Sequence, residues 1–168
     1  VHTAIAISTV RGIVMAVVGI VAARRLLIWM SSPKEVIDLA VIYLRIYFLG
    51  MPAVMLYNFG AAILRGVGDT KRPLYYLTFA GVVNVILNLI FVICFDMSVV
   101  GVAVATTISQ CFAAICVVRC LVKDDGVIKL NLKELKIHKI KLIEILKTGV
   151  PAGFQGMVFS FSNVVIQS

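Results

Sequence analysis

The stretch Arg65-Gly66-Val67-Gly68-Asp69-Thr70-Lys71-Arg72-Pro73 decides how this chain folds, because it separates two long apolar segments. The segment before it covers residues 36–64, and the segment after it covers residues 74–95. Each segment is long enough to cross a lipid bilayer as a helix, which takes about 20 apolar residues. The stretch therefore predicts a tight basic turn at the membrane surface. Its characteristic residues are Arg65, Gly66, Gly68 and Asp69.

The residue types of this turn suit a break between two helices. Gly66 and Gly68 can adopt a positive φ at little cost. Asp69 or Thr70 can cap the following helix, and Pro73 can open it. A phosphate-binding loop is excluded, because the spacing GxxxxGK[ST] is missing and the flanking segments are apolar spans.

The composition of the chain indicates a polytopic membrane protein. Of its 168 residues, 61% are hydrophobic and 14% are charged, whereas soluble domains have roughly 45–50% apolar and about 25% charged residues. The formal net charge of +8 comes from cations that lie between apolar segments, not on one polar face. The positive-inside rule explains them more simply than nucleic-acid binding does. We predict an all-α polytopic membrane helix bundle and no nucleic-acid partner.

About five apolar segments are predicted to span the membrane, at residues 4–29, 35–64, 74–95, 99–122 and 142–168. Pro52 predicts a kink in the second span, because proline removes a backbone donor. Small residues at intervals of three or four on the first and fourth spans predict close helix packing. These residues are Gly12, Ala16, Gly19 and Ala23, and then Gly101, Ala105, Ser109 and Ala113.

Polar residues inside the spans are the candidates for function. Asn84 and Asn88 are four residues apart, so they share one helix face, on which Gly81 also lies. Amides at this depth are costly without partners or water. Hydrogen bonds between helices or a transport pathway would each account for them. On the last span, the polar candidates for lining a cavity on the same transport pathway are Gln155, Ser160 and Asn163.

Arg11 lies inside the first predicted span. A charge at that depth costs about 2.5–3.5 kcal/mol on insertion scales. We expect its side chain to snorkel to the nearer interface, or to face protein or water.

The reactive side chains do not form a catalytic or metal-binding pattern. The four cysteines all lie within apolar segments and have no metal-ligand spacing with either histidine: Cys94, Cys111, Cys116 and Cys120. Buried free cysteine behaves as a small hydrophobe. A membrane-embedded enzyme would need clustered His, Asp or Glu at depth, and the spans do not provide such clusters. We therefore expect no catalytic residues, no metal site and no cofactor.

The distribution of cations predicts which side of the membrane each link faces. The turn at 65–73 and the connector that follows the fourth span hold most of the Lys and Arg residues, so both are expected to be cytoplasmic. The connector, residues 123–141, has a partly amphipathic pattern and is expected to lie on the anionic leaflet. The other two links are expected outside.

Several motifs together resemble the MATE family of multidrug and toxin extrusion transporters. They are Tyr43-Leu44-Arg45-Ile46, Gly50-Met51-Pro52, Ala62-Ile63-Leu64 running into the basic turn through Pro73, Asn84 with Asn88, and Gly149-Val150-Pro151-Ala152-Gly153. The resemblance covers nearly the whole chain. Its most specific part is the Arg-Gly-x-Gly-Asp-Thr-Lys segment followed by the two asparagines.

The resemblance implies a twelve-helix transporter made of two six-helix bundles. Residues 1–122 would hold the third to sixth helices, residues 123–141 the cytoplasmic connector, and residues 142–168 the start of the seventh helix. The chain begins at Val1 and ends at Ser168 within an apolar run, so we expect an internal fragment.

The activity implied by the resemblance is export of organic cations, drugs or toxic compounds from the cell by antiport with sodium or protons. The expected partners are the lipid bilayer of the cell membrane, a small organic cation and the remainder of the same chain. A lipid-linked oligosaccharide flippase of the same superfamily is the alternative, and several cations lining the cavity would favour it. A purely structural subunit would instead pair Asn84 and Asn88 with other helices and leave no continuous cavity.

The sequence departs from the family at two informative positions. Some members bind the coupling cation through carboxylates on the fifth or seventh helix. Here Asn88 stands at the fifth-helix position, and no acidic residue stands at the matching seventh-helix position. We therefore expect the coupling site to lie outside this fragment or to be built differently, and the identity of the coupling ion does not follow from the resemblance.

Overall fold

The chain folds into a set of long helices, seen in a computed structural model that describes residues 1–29, 37–124, 126, 128–130 and 139–167. The α-helices are α1 (His2–Trp29), α2 (Ile37–Leu49), α3 (Met51–Gly66), α4 (Lys71–Leu89), α5 (Ser98–Lys123) and α6 (Lys139–Gln167). A π-helical segment, Ile90–Cys94, extends α4. The described ranges contain no strand, so the all-α prediction is confirmed.

Four of the predicted spans can cross a membrane by length and composition. Three are single helices: α1, α5, and α4 with its π-helical extension. The fourth is the pair α2 and α3, which is bent by 41°. The fifth predicted span coincides with α6, which does not meet the same test over its described residues.

The bend between α2 and α3 is where Gly50 and Pro52 predict a kink. Gly50 is buried in the break, and the Thr107 hydroxyl of α5 donates a 3.2 Å hydrogen bond to the Ile46 carbonyl. A Cβ atom at position 50 would lie 3.2 Å from the Thr107 side chain. Helix α5 therefore packs directly against the bend, and the predicted kink is confirmed.

Close packing of small residues holds the helices together, as their spacing predicts. All four small residues of the α1 stripe and all four of the α5 stripe are buried. A Cβ atom on Gly12 would lie 2.5 Å from the Cα atom of Pro52, and one on Gly60 would overlap the Val117 side chain. Helix α1 packs on α2 and α3, and α5 packs on α2, α3 and α4. Because lipid is as apolar as the side chains, this close van der Waals contact replaces the hydrophobic driving force of soluble proteins.

Helix α4 lies at the edge of the described bundle. It packs mainly on α5, and few of its residues are buried. Its exposed side chains are large and apolar, which suits contact with lipid or with further helices. The link to α5 is tight: Asp96 and Ser98 have positive φ values of 51° and 45°. The link covers residues 95–97, close to the gap at 96–98 between the predicted third and fourth spans.

Candidate functional site

A chain of side-chain hydrogen bonds joins α4 to α5 in the middle of the two spans. The Asn88 amide donates to the Asn84 oxygen over 3.0 Å. The Asn84 amide donates to the hydroxyls of Thr106 and Ser109 over 3.3 Å and 3.2 Å. Those hydroxyls donate in turn to the carbonyls of Val102 and Thr106 of their own helix. The shared face predicted for the two asparagines thus meets α5. We call these four side chains, of Asn84, Asn88, Thr106 and Ser109, the polar network.

The polar network ends in an unused acceptor. The Oδ1 atom of Asn88 is buried and has no hydrogen-bond partner among the residues that the structure describes. The hydroxyl protons of Thr106 and Ser109 are already committed to backbone carbonyls. A buried unpaired acceptor costs about 1–3 kcal/mol, so this oxygen is suited to receive a donor or a cation from outside the described chain.

A cavity of about 270 Å³ lies beside the polar network. Its lining combines Asn84, Thr106, Ser109 and Gln110 with small or apolar residues that include Gly81. The lining residues in the described chain carry no charge. The neutral oxygens and amides of the site can therefore bind water or a polar or cationic ligand without repelling it.

The basic turn closes α3 with a defined helix-ending motif. The Asp69 amide donates to the Leu64 carbonyl and the Gly68 amide donates to the Arg65 carbonyl, both over 3.0 Å. This is the Schellman pattern, in which the residue after the cap is left-handed. Gly68 fills that position with a φ of 87°. Gly66 does not use its capacity for a positive φ, because it is the last residue of α3 and stays helical.

Asp69 connects the turn to α4 and α5. Its Oδ1 atom accepts a 3.1 Å hydrogen bond from the Arg72 amide, so Asp69, not Thr70, caps α4 with its side chain. The other oxygen of Asp69 pairs with the Arg72 guanidinium over 3.0 Å. The same guanidinium reaches Asp124, just after α5, over 3.4 Å. The turn is thus tied to the end of α5.

A buried hydroxyl reinforces the same end of the bundle. Tyr57 of α3 donates a 3.0 Å hydrogen bond to the carbonyl of Pro73 in the first turn of α4. Both residues are buried. This bond fixes the start of α4, which carries the polar network, against α3.

The described lining of this cavity includes neither Gln155 nor Asn163 of α6. The cavity is lined by residues of α4 and α5, whereas Gln155 and Asn163 of α6 are exposed. The side chain of Ser160 lies outside the described residues. Within the described ranges there is also no cluster of metal-ligating side chains.

Sequence reasoning missed the contact of Ser109 with Asn84 and the Tyr57 bond that positions α4. Ser109 was assigned to the small-residue stripe, yet its hydroxyl binds Asn84. The available signal was that Ser109 is the one polar residue of that stripe. The bond from Tyr57 to Pro73 had no comparable signal, because the two residues are 16 positions apart and belong to different helices.

Comparisons with known proteins agree on one family. The family model MatE matches residues 1–90. The probable multidrug resistance protein YpnP of Bacillus subtilis is 36% identical over 154 residues, which is 89% of this chain and 33% of that protein. The multidrug export protein MepA of Staphylococcus aureus is 28% identical over 92% of this chain and 34% of its own length.

A solved structure, the crystal structure of MATE in the bent conformation, is similar in fold. It superimposes with a TM-score of 0.87 at 26% identity, over 94% of this chain and 35% of that chain. This chain spans about a third of the length of these relatives. The family match, the relatives and the helical arrangement agree: the chain belongs to the MATE family.

Proposed function

We propose that the transporter to which this chain belongs exports organic cations, drugs or toxic compounds across the cell membrane by antiport with sodium or protons. The observation that supports this most directly is the polar network beside a cavity at bilayer depth. The relatives named for multidrug resistance or export support the same direction. The proposed activity is transport and not catalysis.

The chemistry of the polar network bears on the coupling ion. Amide and hydroxyl side chains do not ionise in the physiological pH range, so Asn88 cannot take up and release a proton as a carboxylate would. Its unused oxygen is a hard neutral donor of the kind that alkali and alkaline-earth cations accept. Within the described chain, the chemistry of Asn88 favours a sodium ion over a proton as the species that binds at this position.

The proposed organisation follows the sequence boundaries. Residues 1–122 would belong to one helix bundle, 123–141 to the cytoplasmic connector and 142–168 to the second bundle. Transport would then occur as the two bundles rock around the cavity, with the lipid bilayer and the rest of the chain as partners.

The flippase remains the second candidate, and the lining of the cavity supports the exporter over it. A lipid-linked sugar diphosphate would call for several cations. The cavity beside the polar network is uncharged over its described lining. The exporter is therefore the function that this site supports better.

The exporter hypothesis is tested by replacing the two asparagines in the full-length protein. Asn84→Leu combined with Asn88→Leu removes both amides from the network, and we expect cells to lose drug resistance while keeping normal expression. Asn58→Leu is the matched control, because Asn58 is an exposed amide of α3 outside the network. Unchanged resistance in the double variant would remove the polar network from the pathway.

A further inference from the structure

A second cavity lies between α1 and α6, away from the polar network. It has a volume of about 420 Å³, within the range of roughly 300–1,000 Å³ that ligand sites occupy. One wall carries Arg11 of α1. The opposite wall is formed by one side of α6, where Gly149 and Gly153 alternate with apolar side chains. We call this cavity the arginine cleft.

The charge in the arginine cleft is exposed and unpaired. Arg11 is exposed in the structure, and it has no hydrogen bond or ion pair with any residue of the described chain. At 1.5 Å per residue, Arg11 lies about 14 Å along α1 and Gly149 about 15 Å along α6. Arg11 therefore lies inside a helix that is long and apolar enough to cross a membrane. An unneutralised guanidinium at such a depth is costly, so a bound anion would stabilise it.

The rest of the cleft is shaped for an apolar chain. Val150, Phe154 and Met157 line it and are exposed. Gly149 and Gly153 leave open space, because no atom of the described residues beyond their own helical turn lies within 4 Å of a Cβ atom built on either residue. The cleft thus pairs one cation, able to bind an oxyanion in a bidentate manner, with a smooth apolar surface beside it.

We propose that the arginine cleft binds an amphipathic anion, in which a phosphate, sulfonate or carboxylate group faces Arg11 and an attached apolar chain lies along α6. This site goes beyond the proposed export of cations, since its charge would repel a cationic substrate. The same chemistry is offered by two sources: an anionic phospholipid of the bilayer and a soluble amphipathic anion.

The proposal is tested by ligand-dependent thermal unfolding of the purified full-length transporter, because a ligand that binds only the folded state raises the unfolding midpoint. The probes are phosphatidylglycerol, phosphatidylcholine, octyl phosphate and inorganic phosphate. The variants are Arg11→Gln, which removes the charge, and Gly153→Leu, which fills the cleft with the charge intact. Arg45→Gln is the control, since Arg45 is an exposed arginine of α2 outside the cleft.

We expect an anionic probe with an apolar chain to bind the wild type and Arg45→Gln equally, and to bind Arg11→Gln and Gly153→Leu about tenfold or more weakly. Preference for phosphatidylglycerol over phosphatidylcholine identifies the lipid as the source, and stabilisation by octyl phosphate alone identifies a soluble anion.

Equal binding of every probe by the wild type and Arg11→Gln would overturn the site. Equal stabilisation by inorganic phosphate and octyl phosphate would overturn its apolar half. Because the assay measures binding without transport, its failure would leave the export proposal intact.

Discussion

At the scale of single residues, Asn88 is the most informative position in the chain. Its amide nitrogen is anchored to Asn84, but its oxygen is buried and unpaired within the described residues. Buried polar atoms in native proteins are nearly always paired, so an exception calls for an external partner. Under the proposed function, a transported or coupling species would be such a partner.

Tyr57 offers a residue-scale test of how the polar network is positioned. Tyr57→Phe removes the hydroxyl that donates to the Pro73 carbonyl and changes nothing else in shape. We expect a loss of about 0.5–1.5 kcal/mol in stability, the net value of one such bond. Thermal unfolding of the full-length protein measures it, with Tyr75→Phe as the control because Tyr75 is 68% exposed. Equal midpoints for the two variants would show that the bond does not contribute.

Residue-level prediction succeeded where spacing alone decides the outcome. Asn84 and Asn88 share a face because they are four positions apart, and no tertiary information is needed for that. Their partners Thr106 and Ser109 depend on the rotation of α5 against α4, which the sequence does not specify. Likewise, Gly66 and Gly68 look equivalent in sequence, and only the helix-ending hydrogen bonds assign the left-handed position to Gly68.

At the scale of helices, the backbone of α1 packs very closely against the bend of the second span. The Cα atom of Pro52 would lie 2.5 Å from a methyl group placed on Gly12. Backbone atoms cannot move aside as a flexible side chain can. The kink and the small-residue stripe of α1 are therefore parts of one packing arrangement.

A single methyl group tests this arrangement. Gly12→Ala forces α1 away from Pro52, and we expect destabilisation of about 1–3 kcal/mol, the usual cost of overpacking. Gly81→Ala is the control, because a Cβ atom there meets no other element of the described chain within 4 Å. The measurement is the thermal midpoint of each variant in detergent. A Gly12→Ala variant as stable as Gly81→Ala would contradict the close approach.

The positions of the helices were largely predictable from the lengths of the hydrophobic segments. The interruptions within the helices were predictable only in part. Pro52 identified the bend, since proline cannot complete the helical hydrogen bonds. The π-helical segment Ile90–Cys94 was not foreseen, because it lies in an unbroken apolar run whose residues favour an ordinary helix equally well. The connector at 123–141 was predicted as an amphipathic segment, and residues 131–138 of it lie outside the described ranges.

At the scale of the whole molecule, the orientation in the membrane remains a prediction from charge. Full-length protein carrying Thr70→Cys, in a background with Cys94, Cys111, Cys116 and Cys120 replaced, is expected to resist membrane-impermeant thiol reagents in intact cells. The same reagents should label Met97→Cys, which lies in the short link between the α4 extension and α5. Labelling of position 70 from outside would invert the topology.

The most direct test of the account is ethidium transport by the full-length protein in vesicles under imposed sodium or proton gradients. If the chain is part of a cation exporter, one of these gradients should drive ethidium movement against its own gradient, and dissipating the ion gradient should stop it. If neither gradient moves ethidium or another organic cation, while the same vesicles flip a lipid-linked oligosaccharide, the export account is contradicted.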